Sequence, residues 1–216
     1  MSEITAAPGA RTRVRRSAEL ATYDAATVQA IVDAAYLCHV AFHDGQDSHN
    51  IPTVCWRVGA YLYIHGSNGS RMLKRLLQVD ACIGITHLDG LVLARSAFNH
   101  TMNYRSVMIY GRFESVADDA AKRAAMDALM DKLAPGRQAQ VRAGNDKEYA
   151  ATSVLRIALA EAAAKVRSGP PKDDPEDMAQ AVWAGVLPLA QSRGAPLAEA
   201  QAGMATPDYV KAWAGS

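Results

Sequence analysis

Short runs of alternating apolar and polar residues follow one another along most of the chain, separated by turns rich in glycine, asparagine and aspartate. This period of two is typical of β-strands. It indicates strands over residues 37–43, 49–57, 60–66, 80–87, 91–97, 104–116, 152–159 and 181–189. The Asp44-Gly45 pair between the first two runs is a hairpin signal. Asp89-Gly90 is expected to turn the chain between the fourth and fifth.

A period near 3.6 residues, typical of an amphipathic helix, appears in three places. Asp24 is an N-cap candidate for a helix that ends near Ala35, and Ser70 for a helix that ends near Gln78. The clearest helix covers residues 118–133, where apolar residues recur one turn apart. Because no strand–helix–strand rhythm recurs, many short strands with a few helices favour a barrel over a parallel sheet.

Composition indicates a globular protein and excludes several classes. Of 216 residues, 50% are hydrophobic and 21% are charged, which allows a buried core. A net charge of +1 gives no general attraction to nucleic acid or anionic membranes. No apolar run approaches the ~20 residues that span a bilayer, and no signal-peptide pattern is visible, so a cytoplasmic location is predicted. The cysteines and histidines lack metal-type spacing, so no metal site is predicted.

Three regions are expected along the chain. Residues 1–20 form a basic arm that is predicted to be mobile, and residues 21–190 form the folded domain. Residues 191–216 consist largely of alanine, glycine, glutamine and proline, and they are predicted to form a surface tail.

The most informative segment is a strand over Tyr61–Gly66 that runs through a Gly/Ser/Asn turn into a helix. That helix opens with Ser70 and Arg71, and Lys74 follows one turn later. Free N–H groups at a helix start stabilise an anion, and an arginine can hold two phosphate oxygens at once. The segment therefore indicates a phosphate site. A serine-capped helix with solvated basic residues is an alternative interpretation of the same pattern.

Three other segments accompany this turn in a recognisable order: residues 48–54, 89–111 and 165–189. Together the four segments resemble the FMN-binding split-barrel superfamily around pyridoxamine 5′-phosphate oxidase. They are most similar to its branch of flavin-nucleotide-binding proteins that includes the Nim-type nitroimidazole-resistance proteins. The resemblance implies a mainly β fold with peripheral helices, built on a six-stranded FMN-binding split β-barrel. It also implies a homodimer with FMN at the interface.

By this resemblance, Ser70, Arg71 and Lys74 hold the FMN phosphate, and the strand at Pro52–Trp56 bonds the flavin ring through its backbone. A histidine that matches His65 has a functional role in the Nim-type branch, so His65 is the catalytic candidate. The remaining implied cofactor contacts are Pro52, Thr53, Val54, Cys55, Ile64, His65, Tyr104, Arg105, Ser106 and Trp183. Each of three residues also has a purely structural interpretation. His65 could be a hydrogen-bonded core residue, Arg105 could form an ion pair with an acid, and Trp183 could pack in the core.

The implied activity is that of an FMN-dependent oxidoreductase that reduces a small substrate through bound flavin, with nitroaromatic compounds suggested by the Nim-type branch. The Arg-Leu-His motif that holds substrate phosphate in pyridoxamine phosphate oxidases is absent, which argues against that substrate. Three alternatives remain open: a flavin-binding protein without turnover, a haem-binding protein of the same fold, and a deazaflavin-dependent reductase. A haem protein would need His65 or His100 as its axial ligand.

Overall fold

The computed structural model describes residues 6–199 and 203–215, and strands dominate this part of the chain. The strands are β1 (Ala21–Thr22), β2 (Leu37–His43), β3 (Ser48–Val54), β4 (Trp56–Val58), β5 (Tyr61–Ser67), β6 (Ala81–Leu93), β7 (Thr101–Gly111), β8 (Glu114–Ser115), β9 (Thr152–Ala158), β10 (Ala162–Arg167) and β11 (Gly185–Pro188). The helices are α1 (Ala25–Ala34), α2 (Arg71–Leu76), α3 (Asp119–Leu133), α4 (Asp146–Ala151) and α5 (Asp208–Lys211).

All strand pairs are antiparallel, and they form two sheets. The larger sheet has seven strands in the order β1-β10-β7-β6-β2-β3, with β11 paired to β6. The smaller sheet has four strands in the order β4-β5-β9-β8. The sheets do not close into a complete barrel. The split-barrel class is confirmed, with seven and four strands instead of the expected six.

One predicted turn is wrong. The chain does not reverse at Asp89-Gly90, because β6 continues from Ala81 to Leu93 with only a register shift between Leu88 and Gly90. The glycine instead allows β11 to approach: a Cβ atom on Gly90 would lie 3.0 Å from the carbonyl oxygen of Leu187. The same Asp-Gly pattern does form the expected hairpin at Asp44-Gly45, where Gly45 has a φ of 103°.

The main core lies between the inward faces of both sheets and helix α1. Its fully buried side chains include Leu62 and Ile64 from β5, Ile83 from β6 and Ile109 from β7. A second, smaller cluster joins Trp56 and Tyr63 of the small sheet to the apolar side of α3. The two faces of β5 therefore pack into different clusters, so that neighbouring residues of this strand face different surroundings.

The helices begin at residues that cap them with their own side chains. The Asp24 carboxylate accepts a hydrogen bond from the N–H of Thr27, and the Asp118 carboxylate from that of Ala121. The predicted helix over residues 118–133 is therefore confirmed, with Asp118 as its cap. Helix α2 is shorter than expected and ends at Leu76, and β11 covers only part of the expected strand over 181–189.

The segment expected as a mobile arm makes several contacts within residues 6–20. Arg11 forms ion pairs with Asp80 at 2.9 Å and with Glu161 at 2.6 Å, and Thr12 is buried. Residues 1–5, 200–202 and 216 of the expected arm and tail lie outside the described residues. The division into arm, domain and tail stays a prediction. Within the described ranges, no helix has the length and apolar character needed to cross a membrane.

Candidate functional site

Helix α2 begins as its sequence predicts, but its serine is already engaged. The Ser70 hydroxyl oxygen accepts a hydrogen bond of 3.3 Å from the N–H of Leu73, as an N-cap does. Six residues follow in the helix, and both Leu73 and Leu76 turn into the core. The basic side chains Arg71 and Lys74 are therefore left on the exposed side.

A cavity of about 550 Å³ lies between α2 and the β2–β3 hairpin. It is lined by side chains from both elements: Phe42, Asp44, Gln46, His49, Ile51, Arg71, Met72, Lys74, Arg75 and Gln78. Its volume falls within the range of small-molecule and cofactor sites in proteins. Of the predicted cofactor contacts, Arg71 and Lys74 line this cavity.

The cavity carries an excess of positive charge. Among the described residues, neither Arg71, Lys74 nor Arg75 forms an ion pair with an acid. Arg75 donates one hydrogen bond of 3.0 Å to the Gln78 side chain, while its buried Nε has no partner in the described chain. Such a set of donors suits a phosphate or another oxyanion.

The cavity's acid, Asp44, does not neutralise these cations. Its carboxylate accepts hydrogen bonds from the N–H groups of Asp47 and Gln46, both at 2.9 Å, and lies 2.8 Å from His49 Nε2. These bonds, those from the Asp47 and Gln46 N–H groups first, hold the pKa of the Asp44 carboxyl well below its usual range. The carboxylate is thereby committed to the hairpin turn, and the three cations remain available for a ligand.

The strand expected to bond the flavin ring lies at the edge of the large sheet. Strand β3 pairs with β2 on one side and has no strand along its other side in the described chain, so backbone groups are free there. Within β3, Thr53 points to the same side as the cavity residues His49 and Ile51. Pro52 and Val54 point to the other side, and the Cys55 side chain is fully buried. Cys55 is 0% exposed as a whole residue, and its N–H donates a hydrogen bond of 3.0 Å to the Tyr36 carbonyl oxygen, so the structure leaves no free ligand contact at Cys55.

Ile64 and His65 lie on opposite faces of β5, away from the cavity. The Ile64 side chain is fully buried in the main core. His65 faces the second cluster, where its ring lies edge-on to Trp56 with the centroids 5.7 Å apart, and its Nδ1 is buried without a partner. Burial lowers the pKa of His65, which favours the neutral imidazole.

Three of the remaining predicted contacts lie on β7 of the large sheet, with β6 and β2 between them and β3: Tyr104, Arg105 and Ser106. Arg105 donates two hydrogen bonds of 2.9 and 2.8 Å to Asp89. This is the ion pair with an acid that was the structural alternative for Arg105. Tyr104 and Ser106 alternate with it and point to the outer side of the sheet, where Ser106 faces Thr86 across the ladder. Trp183 precedes β11 and is 64% exposed, so it is not a core residue of this chain.

Eight of the ten residues that line the cavity were not among the predicted contacts, and Arg75 and His49 show why. Arg75 is four residues after Arg71, and residues at that spacing share one side of a helix, so this spacing was a usable signal. His49 alternates with Ile51 along β3, but the sequence has no feature that indicates which face of this strand lines a cavity.

The class of the protein follows from a match to a family model. The model described as pyridoxamine 5′-phosphate oxidase matches residues 24–166, more than half of the chain, and the chain belongs to this family. The resemblance deduced from the four sequence segments is thus confirmed. The matched region contains both sheets except β1, β11 and the last residue of β10, and it includes the whole cationic cavity.

Among solved structures, the flavocytochrome Anf3 from Azotobacter vinelandii is 41% identical, with a TM-score of 0.90 over 94% of this chain and 96% of that chain. The FAD and haem binding protein from Mycobacterium smegmatis is 38% identical, with a TM-score of 0.85 over 90% and 97%. A putative 5-nitroimidazole antibiotic resistance protein from Bacteroides thetaiotaomicron is 20% identical, with a TM-score of 0.57 over 68% and 86%, a likeness of fold alone. A search of curated proteins finds no significant match.

Proposed function

We propose that this protein is a flavin-dependent oxidoreductase whose cofactor phosphate is held in the cavity by Arg71, Lys74 and Arg75. The observation that carries the proposal is that these three cations share one cavity without an acid partner in the described chain. Charge-assisted hydrogen bonds to phosphate would occupy these donors, including the unpartnered Nε of Arg75.

The cofactor proposed from the sequence is FMN, as the family resemblance implies. FAD is the second possibility, because the relative from M. smegmatis is described as an FAD and haem binding protein. A bound flavin supplies hydride and single-electron transfer, and the chain's part is to bind and orient it. Arg71 and its two neighbours would fix the phosphate end, and the free edge of β3 would offer backbone groups to the ring.

The remaining predicted contacts are assigned to a proposed assembly of two subunits. Pro52, Tyr104 and Ser106 point to the outer side of the large sheet, and Trp183 is exposed near the same sheet. We propose that a second copy of the chain covers part of this side, so that each flavin lies between two subunits. His65, with its neutral imidazole, is the proposed proton-exchanging group toward a small substrate. The cytoplasmic location stays a prediction.

A second candidate is a protein that binds haem together with flavin. The two relatives that are 41% and 38% identical are described as a flavocytochrome and as an FAD and haem binding protein. This chain offers two histidines that were expected as axial ligands, His65 and His100. Ligating histidines commonly donate their other ring N–H to an oxygen. His65 Nδ1 has no such partner in the described chain, whereas His100 Nδ1 lies 2.9 Å from the carbonyl oxygen of Ser96.

The test is to purify the full-length protein, record its absorbance between about 300 and 600 nm, and identify the released chromophore by mass. Flavin bands with FMN or FAD in the extract support the proposal and decide between the two nucleotides. An additional Soret band supports the second candidate. Arg71→Ala should lose most of the flavin, while Lys147→Ala, which changes an exposed lysine in α4, should retain it. A colourless protein that takes up neither added FMN nor added FAD contradicts the proposal.

A further inference from the structure

A row of large apolar side chains lies uncovered on the outer side of the large sheet. Met102 of β7, Leu91 of β6 and Leu187 of β11 are register partners in three neighbouring strands. They are 49%, 38% and 44% exposed. The ring of Trp183 lies against Gly185, two residues before Leu187, since a Cβ atom on Gly185 would come within 2.8 Å of it. We call these four residues the outer apolar row.

His100 lies at one end of this row. It directly precedes β7 with an extended backbone and is two residues before Met102, so the two residues lie on the same side. Its Nδ1 lies 2.9 Å from the carbonyl oxygen of Ser96, which fixes Nδ1 as the protonated ring nitrogen. Nε2 then carries the free electron pair, and it has no hydrogen-bond partner in the part of the chain that the structure describes.

The loop that carries His100 is held firmly by a second loop. The Asp173 carboxylate, only 2% exposed, accepts hydrogen bonds of 2.7 Å from the backbone N–H and from the guanidinium of Arg95. The side chain of Asn99 donates to Asp174 at 3.3 Å. The imidazole is therefore presented by a loop with fixed ends, as a metal ligand requires.

We propose that the outer apolar row and His100 form a haem-binding surface, with His100 Nε2 as the axial ligand of the iron. This inference rests on the second candidate above and assigns its site. The flat apolar macrocycle would cover Met102, Leu91, Leu187 and Trp183. Arg167 of β10 is the register partner of Tyr104, and its guanidinium donates to Asn103 and to the Pro170 carbonyl oxygen. It forms no ion pair with an acid in the described chain, so its charge suits a haem propionate.

Two observations favour haem as the occupant of the outer apolar row itself, beside the part of the same side that a second copy of the chain is proposed to cover. The Nδ1 of His100 is anchored to a carbonyl oxygen and its Nε2 is free, which is the arrangement typical of a histidine that ligates a metal. In addition, the relatives that are 41% and 38% identical align with 94% and 90% of this chain, so nearly the whole chain is compared. The descriptions of these two relatives name a flavocytochrome and a haem binding protein.

The experiment is a titration of the full-length protein with ferric haem, followed by the Soret band. We expect uptake of about one equivalent, and at least about 100-fold weaker uptake by His100→Gly. Imidazole added to His100→Gly should restore the spectrum of the wild type, a rescue that a purely structural role of His100 would not show. His65→Gly should bind haem as the wild type does. Met102→Gln should bind several-fold more weakly than Leu133→Gln, which changes a similarly exposed leucine at the end of α3.

The contrary outcomes distinguish a failure of haem binding from a failure of the site assigned to it. If the wild type takes up no haem, both the haem candidate and this inference are wrong, while the flavin proposal stands. If His65→Gly loses haem and His100→Gly keeps it, only the assignment made here is wrong. If Met102→Gln separates a dimer, measured by light scattering, and leaves haem uptake unchanged, the surface belongs to a second copy. Circular dichroism of each variant checks that the fold is retained.

Discussion

Strand β7 shows two contrasting faces within a few residues. Ile109 points inward and is fully buried, whereas its neighbour Met108 points outward and is 40% exposed. Both residues are large and apolar, so hydrophobicity alone does not separate them. The inner face is covered by the second sheet and α1, and the outer face has no covering element in the described chain. An apolar side without a cover is typical of a binding or subunit surface.

The largest expected effect is a difference in the free energy of unfolding between substitutions on these two faces. Ile109→Ala should lower the free energy of unfolding by about 3 kcal/mol, because it leaves a cavity in a packed core. Met108→Ala should change it by no more than about 0.5 kcal/mol, as for an exposed position. Urea unfolding of cofactor-free protein at low concentration measures both values. A loss of similar size for Met108→Ala would show that the outer face is covered in solution.

The next prediction sets the outer face against the cationic cavity. Arg71→Gln should weaken flavin binding by about 2 kcal/mol, or about thirtyfold, since it removes charge-assisted hydrogen bonds to phosphate. Arg75→Gln should have a similar effect, although Arg75 was not among the predicted contacts. Quenching of flavin fluorescence gives the affinities, and Lys147→Gln serves as the control cation.

A further variant tests whether the bound flavin reaches the outer side of the large sheet. Ser106→Phe places a bulky ring on the outer side of the sheet and leaves the cavity unchanged. If the flavin passes from the cavity around the edge of β3 to the outer side, both Ser106→Phe and Arg71→Gln weaken binding. Full affinity in Ser106→Phe would restrict the flavin to the cavity, and Tyr104 and Ser106 would then not be cofactor contacts.

Local features of the fold could be predicted from the sequence, because they depend on neighbouring residues. Asp24 and Ser70 cap their helices, and Asp44-Gly45 forms its hairpin, as their side chains and backbone preferences require. Asp89-Gly90 has the same local preference and does not turn the chain. Its outcome depends on β11, a strand almost one hundred residues away that pairs with β6 at Gly90. Such long-range pairing leaves no local signal.

The candidate site was predictable to a similar extent. Arg71 and Lys74 follow from a helix that a serine caps, and they line the cavity as expected. The exposure of Trp183 was not predictable, because an apolar stretch can form a core strand or an uncovered surface. Val107, Met108 and Ile109 of β7 are consecutive apolar residues, so the sequence places apolar side chains on both sides of this strand. The sequence could not indicate that one of these sides lacks a cover within the described residues.

A smaller effect concerns salt, because the two candidate surfaces differ in charge. Raising the salt from about 0.05 M to about 0.5 M should weaken flavin binding several-fold, since ions screen the cations that hold the phosphate. Haem uptake on the outer apolar row should change much less, because apolar contact and an iron–nitrogen bond dominate there. Parallel titrations with flavin and ferric haem measure this. An equal salt response of both ligands would contradict the separation into a charged and an apolar surface.

The smallest effect concerns His65, whose pKa is lowered by burial against the second cluster. Below about pH 6.5, His65 takes up a proton in the unfolded chain but remains neutral in the folded chain until a lower pH. The free energy of unfolding therefore decreases as the pH falls through this range. The melting temperature should therefore drop more between about pH 7.5 and about pH 5.5 in the wild type than in His65→Gln. His43→Gln, at an exposed position of β2, serves as the control and should behave as the wild type does. Equal drops in wild type and His65→Gln would mean that solvent or a ligand reaches His65 Nδ1. Such access to the side of β5 that faces the second cluster would strengthen His65 as the residue that exchanges protons with substrate.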